Sequence, residues 1–469
     1  MTSNYDFVAI GGGTAGLMAS TFAAKLGLRV ALIEKNRLGG DCTWTGCVPS
    51  KALLYVAKTA HQARHAAALG VNVSPPHVDM SRVRHYLDRA INTIYAEETP
   101  EVLAAQGIDV ILGPARFTGS HRIQVNGRTI GADKFLIATG SAPQLPPLQG
   151  LETVDYHTNE SIFENERLPD HLLVLGAGPI GVELGQAYRR LGAEVTIVDV
   201  ALLPDQDRDA AGVLASILDR EGIDFVPGLC GAVAQNGSTI TIHVKDRSLS
   251  GDMLLVATGR QPRVQSLDLQ KAGIQFNQQG LPVNDALQTN VRHVYAAGDV
   301  LGGPNFTHLA GWQGFVAARN ALLPGRTSGV GKDVPLTVFT DPEIAQVGLS
   351  EAEARDRHGD GVVISKRENA HRDRPIVDSA TAGFLKIIHK KDGTILGAVV
   401  VGARAGELVN QFALAIEEKI KLRALADTIH VYPSYSIDTM TLAADYEMER
   451  LLSGITGSLI RRSTALAWI

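Results

Sequence analysis

Residues 5–16 read Tyr5-Asp-Phe-Val-Ala-Ile-Gly-Gly-Gly-Thr-Ala-Gly16, and an alanine-rich, helix-patterned segment separates them from Arg29-Val-Ala-Leu-Ile-Glu34. The apolar run up to Ile10 fits a parallel strand buried on both faces. Gly11, Gly13 and Gly16 stand at the spacing G-x-G-x-x-G. In that pattern the first glycine permits a tight turn, the second lets the backbone approach a pyrophosphate, and the third allows close helix–strand packing. The N-terminus of the next helix favours negative charge, and an acid closing the second strand, here Glu34, suits two ribose hydroxyls. Strand, glycine turn, helix, strand and acid predict a dinucleotide-binding unit.

The series recurs. His171-Leu-Leu-Val-Leu175 leads into Gly176-Ala-Gly-Pro-Ile-Gly181, a helical pattern and Glu194-Val-Thr-Ile-Val-Asp199. In both copies the acid, Glu34 or Asp199, lies 23 positions after the first glycine, Gly11 or Gly176. Gly176, Gly178, Gly181 and Asp199 therefore predict a second dinucleotide site. Here the acid bears on the choice of cofactor. A carboxylate at Asp199 hydrogen-bonds a free 2′-hydroxyl and repels a 2′-phosphate, and no Arg or Lys occurs from Val200 to Asp207 to pair one. NAD(H) is favoured over NADP(H). Downstream of each fingerprint an apolar strand ends at a small-residue turn, Leu136-Ile-Ala-Thr-Gly140 and Leu255-Val-Ala-Thr-Gly259. That adds Thr139, Gly140 and Gly259 to the candidate cofactor-binding positions.

Tyr295-Ala-Ala-Gly-Asp299 returns to the chemistry of the first unit, and from about Pro335 the pattern changes to short strands alternating with helices. The expected fold is α/β: two Rossmann-like dinucleotide-binding domains and a C-terminal α+β domain. The boundaries read as 1–150 (first dinucleotide domain, first part), 151–275 (second dinucleotide domain), 276–334 (return to the first) and 335–469 (α+β domain and tail). Residues 445–469 read as a terminal helix with Leu451, Leu452, Ile455 and Leu459 on one face, packed against the domain or meeting a partner or a membrane surface.

A chain of 469 residues exceeds one core, and its net charge of −5 offers no cationic excess for nucleic acid. The run Ile395-Leu-Gly-Ala-Val-Val-Val-Gly402 falls far short of the roughly 18 apolar residues a membrane span needs. Met1-Thr-Ser-Asn-Tyr-Asp has no basic region, so no signal peptide is expected and the setting reads as cytoplasmic.

The three cysteines are Cys42, Cys47 and Cys230. Cys230 stands alone and reads as a buried structural thiol. Cys42 and Cys47 lie within Gly39-Gly-Asp-Cys-Thr-Trp-Thr-Gly-Cys-Val-Pro-Ser-Lys51. Five residues along a regular helix separate Cα atoms by about 8 Å, beyond the roughly 7 Å a disulfide tolerates. Bridging them therefore needs a distorted turn, which Gly46 makes easier. Pro49 suits a first helical turn, and a thiolate at Cys47 would lie at that helix's positive end. A redox pair is the favoured reading. A zinc half-site would need further Cys or His ligands at suitable spacing, and none is evident, so no metal site is expected. Two ordinary core thiols are the remaining alternative.

On these motifs the chain resembles the pyridine nucleotide–disulfide oxidoreductases, the family of dihydrolipoamide dehydrogenase, glutathione reductase and mercuric reductase. The resemblance includes Val338-Phe-Thr-Asp-Pro342 at the opening of the last domain. It implies that the first dinucleotide domain holds FAD, with Gly40 at the cofactor, that the second holds NAD(P), and that the α+β domain is a dimerisation domain. It implies Cys42 as the thiol that meets substrate and Cys47 as the thiol against the flavin. It also implies Lys51 near the flavin, paired with Glu183, Asp299 on the ribityl chain, and a homodimer sharing its active site across the interface. The chain departs from the family in two places. His430-Val-Tyr-Pro-Ser-Tyr-Ser-Ile-Asp438 places Tyr432 where the disulfide reductases carry an acid–base His, and Ile437 where its Glu partner stands. His430 could replace that base only if the backbone carries it there. Pro179 replaces a nicotinamide-gating Tyr. Three functions remain open: an NAD(P)H-dependent oxidoreductase of a small-molecule or protein-bound dithiol/disulfide, of the dihydrolipoamide dehydrogenase type; a mercuric reductase-like reductase of a soft metal ion or quinone; and a flavin-bearing subunit of a larger complex. Against true mercuric reductase, the chain shows no C-terminal cysteine pair and no N-terminal cysteine domain.

Overall fold

The computed structural model describes residues 3–453. It divides into two units: the chain up to Leu202 with Glu221–Lys332, and Leu203–Arg220 with the chain from Asp333 onward.

In the first unit, Ser3–Ile10 is the middle strand of a seven-stranded sheet. Val30–Glu34 and Ile108–Leu112 follow parallel on one side, and Arg128–Ile137 lies on the other. Val294–Ala296 pairs parallel with the end of that last strand, so the chain does come back to this sheet after about 150 residues elsewhere. A four-stranded sheet repeats the order: Ile223–Pro227, Glu194–Asp199, His171–Leu175, Met253–Val256, all parallel. The runs that read as buried strands are buried. Phe7, Val8 and Ala9 are fully enclosed, as are Leu172, Leu173 and Val174.

The third glycine of each fingerprint shows why the sequence repeats. A Cβ on Gly16 would stand 1.9 Å from the carbonyl oxygen of Gly11, and one on Gly181 would stand 1.9 Å from that of Gly176. No side chain fits there, so helices Thr14–Lys25 and Pro179–Leu191 rest directly on their strands. In an open parallel sheet, ligands bind beyond the carboxyl ends of the strands, where the order reverses. Both glycine turns occupy such ends.

The second unit holds a five-stranded antiparallel sheet in the order Leu336–Val338, Glu343–Gly348, Ile395–Gly402, Phe384–Lys390, Val362–Glu368. Helix Ala405–Glu417 packs on it through Val409 and Phe412. The final helix differs from its sequence reading. It spans Ile437–Ser453 rather than starting near Asp445. Ser434 sets the earlier start, its hydroxyl accepting from the Ile437 amide at 3.2 Å, and Leu442 and Ala443 bury the first turns. Leu451 and Leu452 are exposed instead of packed; Ile455 and Leu459 lie outside the described residues. Among the described residues no helix is long and apolar enough to cross a membrane.

Candidate active site

The cysteine segment folds as two helical pieces with a break. Gly40–Trp44 makes one turn, Thr45 and Gly46 leave helical geometry, and a new helix runs Cys47–His65. A Cβ on Gly46 would meet the Asp41 carbonyl oxygen at 2.7 Å and the Cys42 Cα at 3.2 Å. Only glycine lets the two pieces close this tightly, and the break supplies the distorted turn between Cys42 and Cys47 that a regular helix could not.

The two thiols are electrostatically unlike. The hydrogen bond with Cys47, reinforced by burial, pushes the Cys42 thiol well above the ordinary range. The same hydrogen bond pulls Cys47 well below it, against burial, with help from the Thr307 hydroxyl and the Lys51 charge. Of the two, Cys47 is the sulfur pulled towards the thiolate and Cys42 the one held towards the thiol. Thr307, first residue of helix Thr307–Leu322, places its Oγ1 at 3.4 Å from Cys47 Sγ. Cys47 is also the first residue of its own helix, where no side chain caps the free amides, and a helix N-terminus stabilises an anion. Lys51, one turn on, donates from Nζ to Glu183 Oε2 at 2.8 Å. Glu183 is buried in the second nucleotide helix, so this ion pair ties the thiol helix to that helix.

The glycine turns have matching geometry. Glu34 Oε2 accepts from the Gly12 amide at 2.7 Å, and Asp199 Oδ2 accepts from the Ala177 amide at 2.7 Å. Neither following helix has a side-chain cap or an acid in its first turn, leaving amides and positive dipole available to phosphate. A Cβ on Gly13 would meet only the Gly40 Cα, at 3.8 Å, and one on Gly178 would meet nothing within 4 Å. These residues fit two dinucleotides. Gly140 and Gly259 both hold the positive φ their turns require, +68° and +119°. Thr139 directs its hydroxyl to the Arg263 carbonyl at 2.7 Å, and Asp299 accepts from Ser141 at 2.7 Å.

His430 and Tyr432 lie in the second unit, His430 half-buried and Tyr432 exposed. His430 Nδ1 is 2.8 Å from the Thr428 carbonyl, and Tyr432 donates to Asp373 at 3.0 Å. That bond raises the Tyr432 pKa above the ordinary phenol value, so at neutral pH the phenol stays protonated as a donor. Tyr435, burial first and its bond to Asp378 second, is pushed up to about 12. Pro179 begins the second nucleotide helix, where its missing N–H costs nothing. Cys230 is half-buried rather than fully buried; burial raises its thiol, and its Sγ donates to the Ala232 carbonyl at 3.3 Å. Among the described residues no three His, Cys, Asp or Glu side chains are grouped to hold a metal ion.

The sequence reading missed Thr307, Asp41, Asn159, Arg260 and Arg263. Asp41 lies inside the cysteine motif and Arg260 directly follows the second Ala-Thr-Gly, so both were in view. Thr307 carries no local signal.

Residues 5–314 match the pyridine nucleotide-disulphide oxidoreductase family, and residues 334–442 match the dimerisation domain of the same family. The chain belongs to this family. It is an NAD(P)H- and FAD-dependent disulfide oxidoreductase, and the matched dimerisation domain fits a homodimer. A dihydrolipoyl dehydrogenase of Thermus scotoductus is 36% identical, covering 94% of this chain and 96% of that protein. A mercuric reductase of Bacillus cereus is 34% identical over 92% of this chain and 69% of its own length. Among solved structures, the HOCl-induced flavoprotein disulfide reductase RclA from Escherichia coli superposes with a TM-score of 0.86 at 31% identity, covering 94% of this chain and 99% of that one. RclA has also been solved as a Cu(II) complex.

Proposed function

We propose that the chain takes two electrons from NADH, in preference to NADPH, and passes them through Cys42–Cys47 to a disulfide substrate. The observation carrying this reading is the placing of the two thiols: Cys42 and Cys47 flank the tight Gly46 turn, and Cys47 opens a helix, 3.4 Å from the Thr307 hydroxyl and one turn from Lys51. Gly11, Gly13, Gly16, Glu34, Gly40, Thr139, Gly140 and Asp299 would hold FAD, and Gly176, Gly178, Gly181, Asp199 and Gly259 the nicotinamide dinucleotide. Bound FAD supplies hydride acceptance from the nicotinamide and electron transfer to sulfur. The chain's own residues do the rest. Cys42 passes its proton to Cys47 and attacks one sulfur of the substrate disulfide. The other substrate sulfur leaves as a thiolate and takes that proton, and the Cys47 thiolate then attacks the Cys42 sulfur, displacing the first substrate sulfur, which takes a proton from solvent. The enzyme is left with a Cys42–Cys47 bond and the substrate with two thiols. Lys51, held by Glu183, keeps positive charge beside Cys47, and the dimer would share this site between subunits. The domain limits read from the sequence go with this proposal.

A second reading, reduction of a soft metal ion, is favoured by one observation. Tyr432 stands where a proton-accepting His would serve a dithiol, and its bond to Asp373 raises its pKa. Metal reduction needs no such base. A quinone acceptor or a vestigial flavoprotein subunit has no comparable support in the site.

NADH oxidation by the FAD-loaded protein with lipoamide, glutathione disulfide, Hg(II), Cu(II) and a quinone separates the readings. A disulfide should be the best acceptor, with the rate abolished in Cys42→Ala and in Cys47→Ala. Turnover of metal ions alone would select the second reading. Full activity of Cys42→Ala with every acceptor would remove the thiol pair from the reaction, and a lower KM for NADPH than for NADH would overturn the assignment of Asp199.

A further inference from the structure

One side chain joins both ends of the turn that brings the two thiols together. Arg260 is largely buried, its side chain 13% exposed, on the short strand Arg260–Pro262 that pairs with Ser141–Pro143. A guanidinium has five N–H donors fixed in one plane, and this one spends them in four directions. Nε donates to Ser141 Oγ at 2.7 Å, Nη1 to Asn159 Oδ1 at 3.2 Å, and Nη2 to Asp41 Oδ2 and to the Ser141 carbonyl at 3.1 Å. Arg263 adds a second contact to Asp41, at 3.3 Å on Oδ1.

Asn159 is also buried, and its Nδ2 donates to the Thr45 carbonyl at 3.1 Å. Asp41 and Thr45 are the two residues whose backbone closes the turn, the Thr45 amide bonding the Asp41 carbonyl at 2.9 Å. Cys42 lies just after the first and Cys47 two residues after the second. The guanidinium therefore grips the start of the turn directly and its end through Asn159. Ser141 carries the same grip to Asp299, accepting from Arg260 and donating to the carboxylate at 2.7 Å.

The geometry points to Arg260 as a positioning residue of the thiol pair, which through Asp41 and Asn159 holds the Cys42–Cys47 turn in the shape that favours the disulfide. This deepens the proposed function and rests on its reading of the pair as redox-active. The reason is local concentration. Two thiols close a disulfide in proportion to the time their sulfur atoms spend in bonding geometry, and a turn pinned at both ends confines them. Lysine keeps the charge of Arg260 but has no planar fork, so it cannot hold Asp41, Asn159 and Ser141 together.

The test equilibrates the FAD-loaded wild type, Arg260→Lys, Asp41→Asn and Asn159→Asp in graded dithiothreitol buffers. The Cys42–Cys47 disulfide fraction is read by alkylation and mass spectrometry. The equilibrium constant for disulfide formation should fall about tenfold in Arg260→Lys, a shift of about 30 mV towards a more oxidising couple. Asp41→Asn with Arg260→Lys should be less than additive, because both break one grip. A purely structural role would lower the melting temperature and leave this equilibrium unmoved. Asn159→Asp exchanges a single donor for an acceptor opposite the Thr45 carbonyl, and it decides the matter if Arg260→Lys does not fold. Wild-type equilibria in every folded variant would overturn the inference. A wild type with no reversible Cys42–Cys47 couple would instead overturn the proposed function.

Discussion

Replacing Thr307 with valine exchanges a hydroxyl for a methyl group of nearly the same shape beside Cys47. The hydroxyl oxygen lies 3.4 Å from the sulfur. It is one of the influences drawing the Cys47 pKa down, after the Cys42 hydrogen bond and alongside the Lys51 charge. A hydrogen bond to a charged group contributes about 1.5–3 kcal/mol. The contact is long and partly shared with Cys42, so the low end applies, about one pKa unit. Donors that favour the thiolate lower the pKa, so removing one raises it. In a Cys42→Ser background, which isolates Cys47 at this site, the titration midpoint should therefore rise by about one unit in Thr307→Val. Thr307→Ser should stay near the parent. The assay is the pH dependence of the long-wavelength absorption of the FAD-loaded protein, which requires the thiolate, with the alkylation rate of Cys47 followed in parallel. Below the midpoint both signals vanish; above it both reach a plateau. A midpoint that stays put or falls in Thr307→Val would refute the claim that this hydroxyl stabilises the thiolate.

Lys51→Met removes the cation beside the nearly buried Glu183 carboxylate and should lower stability by about 3 kcal/mol, the low end for breaking a buried pair, because Lys51 itself is partly exposed. Chemical denaturation checks this, and Lys51→Met with Glu183→Leu should recover part of the loss. Gly16→Ala and Gly181→Ala each force a Cβ to 1.9 Å from a carbonyl oxygen. Each should cost about 3 kcal/mol or more, at or beyond the upper range for overpacking. Gly16→Ala should lower FAD content on purification, whereas Gly181→Ala should chiefly weaken nicotinamide binding by equilibrium titration.

Much of this protein was legible along the chain because its signals are local. A parallel strand buried on both faces must be apolar throughout. A helix resting on its strand must have glycine where a Cβ would strike a carbonyl oxygen. An acid at the end of the second strand reaches the first turn because the βαβ unit has a fixed length. These constraints fall within about 25 consecutive residues and recur, so the paired nucleotide domains and the bridgeable cysteines could be read without coordinates. The terminal helix was placed too late because its start depends on a serine three residues upstream and on burial against other elements, neither of which periodicity records.

What the sequence alone determined, then, is the nucleotide architecture and the spacing of Cys42 and Cys47, because each is written in residues that are neighbours in the chain. Only the tertiary structure decided what makes the two thiols different and what pins their turn. Thr307 is 260 positions from Cys47 and Arg260 is 219 from Asp41. Hydrogen bonds and charge act over a few ångströms of space, and only folding brings such distant residues within that range.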